Sequence, residues 1–287
     1  MSFRELLVTS RPFWWINTAA PFVASYYIIN NHINLTLAVG VFYFAFAYNL
    51  MMYGVNDIFD YESDIKNPRK IAAGIDGSVL AKTKHAALWF WIFIIATPPS
   101  VYLFAVGNYA SNIWLALMLF MVFAYSIKGL RFKEIPLVDS ATSSFHYTSP
   151  FIYGSLLVGS QQLYLPAFIT FFVWVMANHA FGAIQDIKPD REANIDSVAT
   201  KLGAARTIVF VLVAYTVAAL LPVLFYGIKG LVASLLLAPY VYIVARTLPD
   251  RHNSESKLFA IGWKQFLYAN YAVGFVFTFI LLATFKT

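Results

Sequence analysis

The stretch Asn56-Asp57-Ile58-Phe59-Asp60-Tyr61-Glu62-Ser63-Asp64 follows directly on the apolar run Tyr48-Asn49-Leu50-Met51-Met52-Tyr53-Gly54-Val55. Acidic residues at the end of a membrane-length segment are costly unless something neutralises them. On a helix turning about 100° per residue, Asn56, Asp57, Asp60 and Asp64 fall within an arc of roughly 100°, and Glu62 falls on the opposite side. Clustered carboxylates repel one another. A hard divalent cation relieves that repulsion, and Mg2+ takes carboxylate oxygens together with phosphate oxygens. The spacing therefore predicts Asp57, Asp60 and Asp64 as metal ligands, Asn56 beside them, and Glu62 as a bystander.

The stretch from Gln185 to Ser197 repeats the theme: an apolar span, then carboxylates four residues apart. Asp186, Asp190, Asn194 and Ser197 share a face at helical spacing, whereas Glu192 and Asp196 do not. Pro189 complicates that phase, because proline disfavours a helix interior. Either cluster alone also reads as a solvated loop. Together, at matched phase and membrane depth, they predict a weak internal repeat whose facing clusters hold two or more Mg2+ and a diphosphate. Cations lie near both: Lys66, Arg69 and Lys70 after the first, Lys188 and Arg191 within the second, and Lys128, Arg131 and Lys133 after Tyr125. Such groups stabilise charge on a leaving diphosphate, although orientation in the membrane accounts equally well for any one of them. His146 and His179 sit within apolar segments, where a lone histidine is more often a packing or hydrogen-bonding residue than a catalyst. Some of the 27 Phe, 18 Tyr and 7 Trp can line a cavity whose π faces stabilise a carbocation.

Long apolar segments must position these residues. The chain has 287 residues, is 60% hydrophobic and only 12% charged, with mean hydropathy +0.66; a soluble domain is about 25% charged. Predicted spans run from about Phe13 to Asn30, Leu35 to Val55, His85 to Val106 (bent at Pro98-Pro99), Asn112 to Ile127, Leu137 to Val158, Leu163 to Ile184, Thr207 to Tyr226, Leu231 to Thr247 and Phe266 to Phe285. Each approaches the ~20 residues a crossing helix needs. The fifth is unusually polar, with Ser140, Thr142, Ser143, Ser144, His146 and Tyr147. Cysteine is absent, which excludes disulfides, thiol nucleophiles and Cys-based metal sites. The N-terminus has no apolar stretch ahead of a small-residue cleavage site, so no removable signal peptide is expected.

An odd number of spans puts the termini on opposite sides. Of the 20 Lys and Arg, all but Lys229 and Lys286 fall on the side of the N-terminus, which that bias makes cytoplasmic. The net charge of +6 thus reads as membrane orientation rather than nucleic-acid binding. The 14 acidic residues gather on or near the same side. Acids contribute little to topology, so this asymmetry points to chemistry at one membrane face.

These residues resemble the UbiA superfamily of intramembrane prenyltransferases nearly end to end. Asn56, Asp57, Asp60 and Asp64 match its first motif, N-D-x-x-D-x-x-x-D, and Asp186 and Asp190 its second, D-x-x-x-D. Tyr125, Arg131 and Lys133 look like its intervening segment, although Lys128-Gly129 stands where relatives often carry Pro-Pro. Asn194 and Ser197 stand where many have Gly and Thr. The resemblance implies an all-α integral membrane protein: one domain over residues 1–287, a bundle of about nine transmembrane helices around a central cavity, with the Asp-rich motifs cytoplasmic. It implies Mg2+ on Asp57, Asp60, Asp64, Asp186 and Asp190. Catalytic roles fall to Asp60, Asp186, Tyr125, Arg131 and Lys133, and diphosphate contacts to Asn17, Asn56, Lys66, Arg69, Lys70, Lys128, Lys188 and Arg191. The stretches Ser10–Thr18, Val55–Lys70 and Asn178–Asp186, with Arg191-Glu192-Ala193, look closest to lycopene elongases. The implied reaction is transfer from dimethylallyl diphosphate to lycopene or a related carotenoid within membrane lipid. Quinone-precursor, haem, chlorophyllide and archaeal-lipid prenyltransferases are the alternatives, and an ion-coupled transporter is the alternative of another class.

Overall fold

The computed structural model describes residues 1–65, 79–160 and 164–285. Among them there is helix and no strand. The chain forms two compact units: Met1–Phe132 with Phe145–Leu163, and Lys133–Ser144 with Tyr164–Thr287.

The first unit opens with α1 (Phe3–Thr9), started by a capping box in which Ser2 Oγ accepts from Glu5 N and the Glu5 carboxylate accepts from Ser2 N at 2.8 Å. Arg11, at φ 51°, turns the chain into a 3-10 turn, Pro12–Trp14, and then α2 (Trp15–Asn30). Asn34 caps α3 (Leu35–Phe42), accepting from Leu37 N at 2.9 Å. A π turn, Tyr43–Ala47, joins α3 to α4 (Tyr48–Phe59). The wider turn releases backbone carbonyls, and side chains take them up. Buried Asn49 donates Nδ2 to Phe44 O at 2.7 Å and Ala45 O at 3.0 Å, and Thr18 Oγ1 donates to Phe44 O at 2.7 Å. The π turn resets the helical phase just before the first acidic motif. It is followed by α5 (Tyr61–Asp64), α6 (His85–Val106), which contains Pro98 and Pro99, and α7 (Tyr109–Ser126). The later turns of α8 (Val138–Leu157) complete the unit. Its core packs Phe22 against Phe44 and Tyr26, with ring centroids 5.0 and 5.5 Å apart. Small residues permit the close helix contacts that apolar packing in lipid requires: a Cβ on Gly154 would lie 2.2 Å from Ser25 Oγ.

The second unit holds the first turns of α8, then α9 (Leu165–Ala183), a 3-10 turn at Ile184–Asp186, α10 (Ile187–Glu192) and α11 (Val198–Tyr226), which is interrupted at Gly203 (φ 74°, ψ 162°). The bent pair α12 (Ile228–Leu235) and α13 (Ala238–Ala245) follows, then α14 (Lys257–Phe285). An aromatic core joins α9, α11, α13 and α14: Phe181–Phe266 at 4.9 Å, Tyr215–Phe266 at 6.3 Å, Tyr240–Phe266 at 5.3 Å and Trp174–Tyr240 at 5.1 Å. Buried hydroxyls need partners. Tyr215 Oη donates to Asn178 Oδ1, and Tyr240 Oη donates to Asn270 Oδ1 at 2.9 Å.

Among the described residues five helices are long and apolar enough to cross a membrane: Leu35–Phe59, Lys82–Val106, Tyr109–Ser126, Leu165–Glu192 and Val198–Tyr226. Counting the α12–α13 pair, bent by 41°, as one span makes six. The expected first span is a helix of only 16 residues.

Candidate active site

In the first unit α4 delivers the first motif. Asn56 and Asp57 occupy its last turn, and Asp60 ends it at φ −96°, ψ 0° while also capping α5. Asp57 and Asp60 are buried, 6% and 9% exposed. Arg11 Nη2 donates to Asp57 Oδ1 at 2.7 Å, and its guanidinium lies 4.1 Å from the centre of the Tyr53 ring. The left-handed backbone at Arg11 aims the side chain of a loop residue at the helix end. Arg131, also left-handed at φ 40°, ends the turn after α7 and brings Nη2 to 3.7 Å from Asp60 Oδ1. Asn56 Oδ1 accepts from Ser126 Oγ at 3.3 Å. Asp64 is half-buried on α5. Glu62 points away and pairs with Lys82 at 3.0 Å in solvent.

Around this end of the unit is an aromatic and hydroxyl cluster. Tyr53 and Tyr147 share a short hydroxyl hydrogen bond, Trp14 lies 6.4 Å from Tyr147, and Tyr125 meets His146 edge-on at 5.7 Å. Asn17 is half-buried in the first turn of α2. Lys128 is exposed. Lys66, Arg69 and Lys70 lie outside the described residues.

In the second unit Asp186 repeats the backbone of Asp60 almost to the degree: φ −97°, ψ 0°, between one helix and a short one that it caps. Asp190 follows four residues later on α10, as Asp64 follows Asp60. The two motifs thus share one backbone conformation at Asp60 and Asp186. Pro189 is third in α10, within the first turn, where its missing N–H removes no helical bond. The face expected over residues 186–197 does not extend past α10. Asn194 turns left-handed at φ 56°, and Ser197 caps α11, accepting from Thr200 N at 3.2 Å. Asp186 and Asp190 therefore stand without Asn194 and Ser197 on their face. Lys188 is exposed and pairs with Glu255 at 2.8 Å. Arg191 Nη2 donates to Thr200 O at 3.0 Å, and Lys133 is half-buried in the 3-10 turn Phe132–Glu134.

Two residues outside the predicted site organise these ends. Arg11 reads in the sequence as a basic charge on the N-terminal side and as part of the Ser10–Thr18 stretch; its place just before Pro12 and the first span is the available signal. Asp139 is fully buried and accepts from Val198 N at 2.7 Å and Ser140 N at 2.6 Å, tying the start of α8 to that of α11.

The donor set is all oxygen, which suits a hard cation. Among the described residues no three His, Asp or Glu side chains form a ready metal cage. Mg2+ rarely uses one: it takes one or two carboxylates, waters and substrate phosphates. The carboxylates fit Mg2+ that arrives with a diphosphate.

The UbiA prenyltransferase family matches residues 18–271. Over 286 residues the chain is 41% identical to a lycopene elongase/hydratase of Corynebacterium glutamicum, covering 98% of this chain and 97% of that protein. It is also 41% identical over 279 residues to the C(50) beta-cyclic carotenoids biosynthesis protein LbtBC of Dietzia sp., covering 96% of this chain but spanning only 64% of the length of that relative. Among solved structures, a UbiA homologue from Archaeoglobus fulgidus bound to DMAPP and Mg2+ superposes with a TM-score of 0.68 at 17% identity, covering 95% of this chain and 99% of that one; at that identity the likeness speaks to fold alone. The match reaches across both units and both acidic motifs, and the chain belongs to the UbiA prenyltransferase family.

Proposed function

We propose that the chain is a membrane prenyltransferase that joins the prenyl group of dimethylallyl diphosphate to the end of lycopene or a related carotenoid. The observation that carries this reading is the 41% identity, end to end on both chains, to the Corynebacterium glutamicum lycopene elongase/hydratase. The all-oxygen acidic motifs and the apolar helices support it.

Asp57, Asp60 and Asp64 from the first motif and Asp186 and Asp190 from the second hold Mg2+ in this proposal. When bound, Mg2+ neutralises the diphosphate oxygens of the donor and eases departure of the leaving group. Arg11 holds the Asp57 carboxylate in one orientation. Arg131, beside Asp60, supplies positive charge where the leaving group develops negative charge; Lys133 and Lys128 add to it from the same segment, and Asn17, Asn56, Lys66, Arg69, Lys70, Lys188 and Arg191 contribute to diphosphate binding. Trp14, Tyr53, Tyr125 and Tyr147 keep water from the allylic cation and offer it π faces. Residues 1–287 act as one functional domain, a reading supported by a family match that spans both units. The N-terminus and the acidic motifs face the cytoplasm, supported by the bias of Lys and Arg.

The test is expression in a lycopene-producing host followed by mass analysis of the pigments. The expected result is a carotenoid larger by one or two C5 units, absent with an empty vector. Unchanged lycopene, with prenylated quinone, haem, chlorophyllide or archaeal lipid instead, overturns the choice of acceptor.

A further inference from the structure

His146 is a mid-span imidazole that the diphosphate chemistry leaves unused. It lies on α8 and is 2% exposed. Its Nδ1 is 2.9 Å from the hydroxyl of Tyr48, itself fully buried. Its Nε2 is buried and meets no hydrogen-bond partner among the described residues. Buried polar nitrogens are rarely left so, and each exception calls for an explanation. The surroundings suggest one. Two short paths of contacts, both within the first unit, lead from the acidic motif to this imidazole. One runs from Asp57 through Arg11 and Tyr53 to Tyr147, the next residue along α8. The other runs from Asn56 to Ser126, whose neighbour Tyr125 meets the His146 ring edge-on. His146 thus lies within a few contacts of the motif, against the rings of Tyr48 and Tyr125.

Resting on the prenyl-transfer reading above, we infer that His146 Nε2 is the catalytic base that ends the reaction. Adding an allylic cation to a carbon–carbon double bond forms one new C–C bond and leaves a tertiary cation on the acceptor. That cation is quenched with the release of one proton. Either an adjacent C–H bond breaks, its electron pair forming a new double bond, or a water oxygen bonds to the cation and gives up a hydrogen. In both cases the proton goes to Nε2. In the tautomer that donates Nδ1–H to Tyr48 Oη, Nε2 presents its lone pair for that purpose. Tyr48 positions the ring and selects the tautomer. The imidazolium then passes its proton on as product leaves.

The experiment uses the full-length protein in lipid with dimethylallyl diphosphate, lycopene and Mg2+, and reads the ratio of diphosphate released to extended pigment formed. In His146→Gln, extended pigment falls about 100-fold or more, while diphosphate release falls far less, so the ratio rises at least about tenfold. The donor is then recovered as its alcohol. Tyr48→Phe, which keeps the imidazole and removes only its Nδ1 partner, shifts the ratio in the same direction by a smaller factor, and it decides the matter alone if His146→Gln fails to fold. A wild-type product that is an alkene and one that is a tertiary alcohol both support the assignment when the variants uncouple. A ratio unchanged in the variants, whether activity is kept or both quantities fall together, overturns it. Wild-type protein that forms no extended pigment at all refutes the prenyl-transfer reading and removes the assignment with it.

Discussion

Breaking the Arg11–Asp57 pair tests how the first motif is held. Nη2 and Oδ1 are 2.7 Å apart, with side chains 10% and 5% exposed. At an effective dielectric near 20, two unit charges at that distance attract by about 6 kcal/mol. Desolvation offsets much of this, so the pair's net contribution is small. Removing one partner is different, because the remaining buried charge loses its close counter-charge, at a cost of about 3–5 kcal/mol. Arg11→Met and Asp57→Asn are each expected to destabilise by about that much, and the double variant by about 2–3 kcal/mol less than the sum. Arg11→Lys keeps the charge but loses the planar group over Tyr53 and falls between. At roughly 2–4 °C per kcal/mol, each single change lowers Tm by about 6–20 °C. The assay is thermal unfolding in detergent followed by tryptophan fluorescence, completed as a double-mutant cycle. Single effects that add to within about 0.5 kcal/mol refute the pairing, and single costs below about 1 kcal/mol refute its burial.

Asp60→Ala and Asp186→Ala are each expected to abolish prenyl transfer, with EDTA doing so reversibly on readdition of Mg2+; full activity in either variant sinks the metal–diphosphate mechanism. A pH effect is expected at the opposite end of the unit's first helix. The hydrogen bond from Lys84, then that from Ser2 N, holds the Glu5 carboxyl down at about 2. A carboxyl depressed on folding stabilises above its ordinary value, 4.5, and that contribution is lost as pH falls toward 2. Hydrogen exchange of the Phe3–Thr9 amides should therefore speed up relative to the rest of the unit between those values, and Glu5→Gln should flatten the profile.

Carboxylates spaced by four and apolar segments of membrane length are one-dimensional patterns, so the sequence by itself determined the helical class and the placement of the long helices and of the acidic residues along them. Helical phase carries Asp60 to Asp64 and Asp186 to Asp190 because each pair lies within a single turn. It fails over longer runs, where the chain leaves the helix. Asn194 and Ser197 leave the expected face because a left-handed residue and a new N-cap reset the phase, and the π turn at Tyr43–Ala47 does the same upstream of the first motif. The partner of Asp57 was not legible at all. Arg11 lies 46 residues away, and nothing in its neighbourhood says which buried charge it will meet. Likewise, nothing around His146 in sequence says that Tyr48 will take one ring nitrogen and that the other will meet no hydrogen-bond partner among the described residues. Pairings of that kind are set by which helices pack together, and burial then makes them energetically decisive. The tertiary structure alone decided that Asp57 of the acidic motif is held by an arginine from the loop before α2, and that His146 meets Tyr48 and Tyr125.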